Sequence, residues 1–352
     1  MLGPRRFFKG AAFALVILLM VAIFFERNEN TPRETEVSSS EQGNSNPRTL
    51  PESDLRTEDG LSIPLSFDQE PERYGLLPAL RSGEEVIRHF AYDVVYNELH
   101  EQAQWVAYTL KPERLVKRCS RTDNFRRDPL VHTGTADVAD YRGSGYDRGH
   151  LVPAGDMVWS TTAMSESFFF SNISPQNPSF NRGIWKRLEE LTRTWAADSD
   201  SLYIVTGPLL SDELPTLGRN KVSIPEAYFK AILRFDGGQM KGIGFVLPNR
   251  RSTLSLRSYA LSIDSVEALT GIDFFAGFPD DIEDQVERVL CSLCWTWTAN
   301  RNVYQHEESS SQGNSGRSPT SVQCSGTTKK GRRCRNRTRN VSGYCYHHGS
   351  QQ

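Results

Sequence analysis

From Ile184 the apolar residues Ile184, Leu188, Leu191 and Trp195 recur at the 3.6-residue period of an α-helix, which gives the stretch one stripe that must be buried. Asn181 then falls at or just before the helix start, with Glu189 eight and Arg193 twelve residues further on. At about 100° per residue the three side chains fall within a sector of about 120°, off the apolar stripe, where they could line one wall. Taken singly each is ordinary. Asparagine is a preferred N-cap, and a glutamate four residues before an arginine is a common surface ion pair.

What this helix packs against is legible in strand-like runs: Gln104–Leu110, Leu202–Thr206, Ala227–Phe235 and Met240–Leu247 are rich in β-branched and aromatic residues. Asp236-Gly237-Gly238 between the last two is a hairpin turn signal. Ser262 to Phe275 reads as a short capped helix ended by Gly271. Interspersed strands around one dominant helix predict an α+β fold, not a parallel βαβ sheet. No Gly-rich phosphate loop, Walker motif or dinucleotide fingerprint occurs, which argues against nucleotide-cofactor chemistry.

Upstream of the helix stand Asp147-Arg148-Gly149-His150 and Asn172-Ile-Ser-Pro-Gln176. The Asp-Arg-Gly-His tetrad, the nine-residue step from Asn172 to Asn181, Trp185, and the eight-residue step to Glu189 together resemble the DNA/RNA non-specific endonucleases, the ββα-metal (His-Me finger) nucleases. The resemblance runs from about Arg73 to Trp297 and implies a central, mostly antiparallel sheet with flanking helices.

It also implies roles. His150 would be the general base, Asn181 the direct protein ligand of one divalent ion, Mg²⁺ or Mn²⁺, and Glu189 a group acting on that ion through water. Arg148 would hold the scissile phosphate with help from Arg193, while Asp147 and Asn172 would support the catalytic group. Family members carry a further upstream arginine. Here several arginines compete in the segment from Arg118 to Pro129, Asp123 stands just before Asn124, and Arg121 and Arg126 are the candidates for a phosphate contact. DNA and RNA are the implied substrates, because a site aimed at phosphate reads no bases. A homodimer is left open. The alternative is a nuclease-like domain that binds nucleic acid at the envelope without cutting it.

The remaining segments flank this domain. Arg5, Arg6 and Lys9 precede an uncharged apolar run from Ala11 to Phe25, and Phe24-Phe25-Glu26-Arg27 carries no small-x-small cleavage pattern. Residues 1–27 are therefore expected to be an uncleaved transmembrane signal anchor, with a cleaved signal peptide as the alternative, the basic end cytoplasmic and the catalytic domain periplasmic or at the cell surface. Residues 28–64, polar and mildly acidic, read as a disordered tether. Residues 65–300 are the expected nuclease domain, and 301–320 a flexible linker.

Within the domain, Cys291 and Cys294 sit in an apolar context that suggests packed thiols, with a disulfide from Cys119 to one of them left open. The tail, residues 321–352, spaces Cys324, Cys334, Cys345 and His348 as C-x9-C-x10-C-x2-H, with His347 as an alternative fourth ligand. That pattern in a short, polar segment suggests a zinc module, against a disulfide or a flexible tail. Its run of Lys329, Lys330, Arg332, Arg333, Arg335, Arg337 and Arg339 could hold a polyanion.

Overall fold

A computed structural model describes residues 63–64, 76–300, 302–304, 322–328 and 331–338. The chain divides into two compact units, 1–307 and 308–352.

The first unit is built on an antiparallel sheet. Its path runs β1 (Ile63–Pro64), β11 (Gln239–Pro248), β10 (Ala227–Asp236), β7 (Ser201–Pro208), β4 (Gln102–Leu110), β3 (Asp93–Asn97) and β2 (Val86–Arg88), with β12 (Ala260–Leu261) also on β11. The long hairpin forms where Asp236-Gly-Gly predicts it: Gly237 and Gly238 both take positive φ, and the register pairs Asp236 with Gln239. Period-two alternation gives this sheet two buried faces. On β10, Tyr228 and Ile232 face one core, whereas Phe229, Ala231 and Leu233 face the other.

The first core receives α3 (Lys186–Ala197), whose Leu188, Leu191 and Trp195 pack with Ile204, Ile232, Ile243 and Phe245. Each such side chain is worth about 1.5–3 kcal/mol of burial. The opposite core is covered by α4 (Ile263–Thr270) and α5 (Asp280–Glu287), through Ile263, Val266 and Val286. Ser262 accepts from the Ser265 backbone to cap α4, and Gly271, left-handed at φ 62°, ends it as expected.

Outside the sheet, β5 (Asp147–His150) and β6 (Ile173–Gln176) form a two-stranded antiparallel ribbon. The small helices α1 (Val138–Tyr141) and α2 (Thr161–Glu166) and the pair β8 (Thr216–Leu217) with β9 (Val222–Ser223) complete the unit.

Several expectations are corrected. The sheet already includes Ile63–Pro64, inside the predicted tether, and Val303 and Tyr304, inside the predicted linker, still pack on the domain. Cys291 and Cys294 are joined to each other as a disulfide, and the intervening Leu293 is 81% exposed, so they are not packed core thiols; Cys119 is free. The predicted anchor and most of the tether lie outside the described residues. Among those described, no helix is long and apolar enough to cross a membrane.

In the second unit, β13 (Val322–Gln323) pairs with β14 (Arg337–Thr338), and Cys324 and Cys334 are both buried. Backbone N–H groups of Gly326 and Asn336 point at their sulfurs, at 3.3 and 3.5 Å. Cys345, His347 and His348 lie outside the described residues.

Candidate active site

The ribbon places His150 at the end of β5, opposite Ile173. A clamp fixes the chain immediately after it. Asn172 accepts from the Val152 backbone and donates to the Val152 and Ser167 carbonyls, all at 2.8–3.0 Å. This asparagine is fully buried and its carboxamide is engaged on both sides, so it positions the backbone next to His150 and does not reach a substrate.

Gly149 is a close-approach glycine, not the turn glycine its type alone suggests. A Cβ there would stand 2.2–2.4 Å from the buried side chain of Gln176. Gly149→Ala is expected to destabilise the protein by about 1–3 kcal/mol through overpacking. It should also lower cleavage by displacing the His150 strand. Thermal denaturation beside a plasmid-nicking assay checks both effects, and an unchanged melting temperature would contradict the packing argument.

The His150 ring stands edge-on to Phe168, with centroids 4.8 Å apart, and tilted against Phe125 at 5.5 Å. Arg148 lies over Phe125 at 4.0 Å and Arg121 over Phe168 at 4.9 Å, so two guanidiniums and the imidazole share one aromatic pair. Nε2 of the ring is buried without a hydrogen-bond partner among the described residues. Burial, and then the charges of Arg121 and Arg148, push the imidazole down to about 3, so it is neutral at pH 7.

That shift has a stability consequence. Between the ordinary value of about 6.5 and the folded value, the unfolded chain binds the proton that the folded one refuses. Stability is therefore complete above about pH 6.5 and falls as the pH drops toward 3. Urea titrations in EDTA are expected to show about 2 kcal/mol lost between pH 7 and pH 5 at this residue. His150→Gln should remove that increment; an identical slope in the variant would refute it.

Asn181 lies in a π-helical turn, Phe180–Trp185, in which Gly183 departs from helical dihedrals (φ −106°, ψ −109°) before α3 begins. Its Nδ2 donates to Asp147 Oδ2 at 2.9 Å, and Arg182 forks onto the same carboxylate. The bond to Asp147 fixes the orientation of the carboxamide and leaves Oδ1 without a donor among the described residues.

The π turn also breaks the constant 100° step on which the shared sector of Asn181, Glu189 and Arg193 rests. Arg193 does not line an open wall. It is 7% exposed, and its Nη1 donates to Asp156 Oδ1 at 2.7 Å. Asp156, fully buried, also accepts from the Tyr108 hydroxyl at 2.9 Å. Glu189, partly buried beside this pair, is pushed above the usual carboxylate range by burial, against the pull of Arg193.

Arg126 is likewise spent elsewhere. It donates to the Asn124 and Ser165 carbonyls and the Ser165 hydroxyl, whereas Arg121 makes only an exposed pair with Asp123 at 2.7 Å and remains the candidate positioned by His150.

Two residues of this site escape the motif reading. Asp156 belongs to a short 3-10 turn, Ala154–Met157, whose sequence carries no recognisable pattern. Lys230 is fully buried on β10 with no hydrogen-bond partner for its Nζ among the described residues; Nζ lies 5.1 Å from the Trp185 ring and is held below the usual lysine value by burial, against the attraction of Glu189. The available signal was a lysine in the middle of the mostly apolar run Ala227–Phe235, which also carries Arg234. Arg182, Lys186, Arg187 and Arg251 further line an open cleft along the start of α3.

With this geometry in place, sequence comparison assigns the class. The model of the DNA/RNA non-specific endonucleases matches residues 79–281, and the chain belongs to that family. It is an endonuclease. Human mitochondrial endonuclease G is 35% identical over 222 residues, covering 58% of this chain and 73% of the relative. A nuclease of Nostoc sp. is 34% identical over 208 residues, covering 56% and 75%. Among solved structures, a chain of the EndoG/EndoGI complex, described as showing the mechanism of EndoG inhibition, superposes with a TM-score of 0.54 at 27% identity, covering 59% of this chain and 91% of that one.

Proposed function

We propose that this endonuclease hydrolyses phosphodiesters in both DNA and RNA, with a divalent cation held at Asn181 and His150 as the base. The observation that carries the reading is the imidazole itself: buried, neutral, with a free Nε2, and flanked by two guanidiniums over shared aromatic rings. The residues fit a cation. A carboxamide oxygen freed by the Asp147 bond is a hard donor of the kind Mg²⁺ or Mn²⁺ takes. Glu189 stands available as a hydrogen-bond acceptor for the ion's hydration water. When bound, such a cation supplies polarisation of the phosphate and neutralises charge at the leaving 3′ oxygen.

The chain's own groups do the rest. Neutral His150 accepts a proton from the attacking water. Arg148 and Arg121 face the charge that accumulates on the phosphoryl oxygens. Arg193, without touching substrate, opposes the upward shift that burial imposes on Glu189. The cleft arginines offer a path for the flanking backbone, and contacts with phosphate carry no base preference.

The reading extends to place and tail. Export behind an N-terminal anchor is supported by the Ala11–Phe25 run and fits the Cys291–Cys294 disulfide, since disulfides persist in oxidising compartments. Zinc in the tail is supported by the two buried cysteines whose sulfurs receive backbone N–H groups, a pattern that suits thiolate ligands.

The test is digestion of matched DNA and RNA, single- and double-stranded, with Mg²⁺ and then with EDTA. Cutting of all four substrates that stops on chelation is expected. Binding without cutting in Mg²⁺ would favour a silent nucleic-acid-binding protein instead.

A further inference from the structure

On the sheet face opposite α3, the first two turns of α4 and the end of α5 bring three carboxylates together. Oxygens of Asp264, Glu267 and Glu287 lie within 4.8 Å of one another. Glu287 is only 4% exposed, and its Oε1 has no hydrogen-bond partner among the described residues. A buried carboxylate oxygen without a donor costs free energy unless something positive meets it.

Among the described residues no basic side chain is paired with it. The charged groups acting on Glu287 are Glu267, Glu283, Asp264 and Asp273, all acidic, while Arg288, next in sequence, pairs with Asp284 at 3.2 Å. Glu267 already spends one oxygen on the Phe274 backbone N–H at 2.6 Å, which fixes its orientation within the group.

We infer that Asp264, Glu267 and Glu287 form a second, structural divalent-cation site that ties α4 to α5, with calcium as its ion. The donor set is all oxygen, which disfavours zinc and copper. Two helices packed independently on a sheet do not present a rigid octahedron, and calcium accepts irregular coordination filled out with water where magnesium resists it. Such an ion would join the two helices that cover the second core, far in sequence from Asn181 and His150.

The experiment uses the full-length chain stripped of divalent ions and titrated with calcium chloride by calorimetry, with thermal denaturation in parallel. The proteins are wild type, Asn181→Ala, Glu287→Gln and Asp264→Asn. A binding step that persists in Asn181→Ala and disappears in both carboxylate variants is expected, with the melting temperature rising by about 5 °C at calcium a hundredfold above the dissociation constant. Glu287→Gln should fold, because it relieves carboxylate repulsion, and should be insensitive to calcium. Asp264→Asn, at an exposed position, guards against misfolding of the buried variant. The proposal is overturned if Asn181→Ala shows no calcium step, or if the step survives in Glu287→Gln, which would mean that these carboxyls merely share protons. Either result is independent of whether the catalytic reading holds, since cleavage is not the readout.

Discussion

Replacing His150 by alanine is expected to cut turnover on plasmid DNA by about 10²- to 10⁴-fold, the range general-base catalysis supplies, while DNA binding survives. The buried ring makes no hydrogen bond through Nε2 that the fold requires, so the chemical loss should exceed the structural one. Its contacts with Phe125 and Phe168 do matter for packing, and their removal should cost about 2–4 kcal/mol. His150→Gln, which fills more of that space but is a far weaker base, should lose as much activity with a smaller fall in melting temperature. Turnover, gel-shift affinity in EDTA and melting curves together separate the effects. A folded His150→Gln protein with wild-type turnover would end the assignment of the base.

Asp156→Ala is expected to be the most damaging substitution for stability. It strips the hydrogen-bonded carboxylate from Arg193, which is 7% exposed, and leaves only the half-buried Glu189 to offset it beside a second buried cation, Lys230. An uncompensated buried charge of this kind costs about 3–5 kcal/mol, which for a domain of this size lowers the melting temperature by on the order of 10 °C. The Tyr108 hydroxyl loses its acceptor as well. Combining Asp156→Ala with Arg193→Met should recover part of the loss, because the double variant no longer buries a lone guanidinium. A single-variant loss below about 1 kcal/mol would show that Arg193 finds another partner or reaches solvent.

How far the sequence reached depended on what kind of interaction each residue makes. Ile184, Leu188, Leu191 and Trp195 announced their helix because burial on one side imposes a period along the chain. Asp236-Gly237-Gly238 announced its turn because few residues tolerate positive φ twice. The motif spacing likewise singled out His150 and Asn181. Arg193 and Asn172 were singled out too, yet one pairs with Asp156, 37 positions away, and the other clamps Val152, 20 positions away. A partner at such a separation leaves no periodic trace. The same holds for Asp147, read as a support, whose carboxylate reaches Asn181 across 34 residues. It holds again for Lys230, whose surroundings come from residues as distant as Tyr108, Asp156, Trp185 and Glu189.

By itself the sequence determined the α+β class, the helix, the hairpin and the family, since periodicity, turn chemistry and fixed spacing are local properties that a linear string records. Only the tertiary structure decided which arginines remain free for phosphate, which way the Asn181 amide points, that Gly149 makes room for Gln176, and that three acidic groups converge beneath α4 and α5. Those outcomes turn on desolvation and on hydrogen-bond partners brought together from distant parts of the chain, and a charge has the same letter whether it meets water or a buried carboxylate.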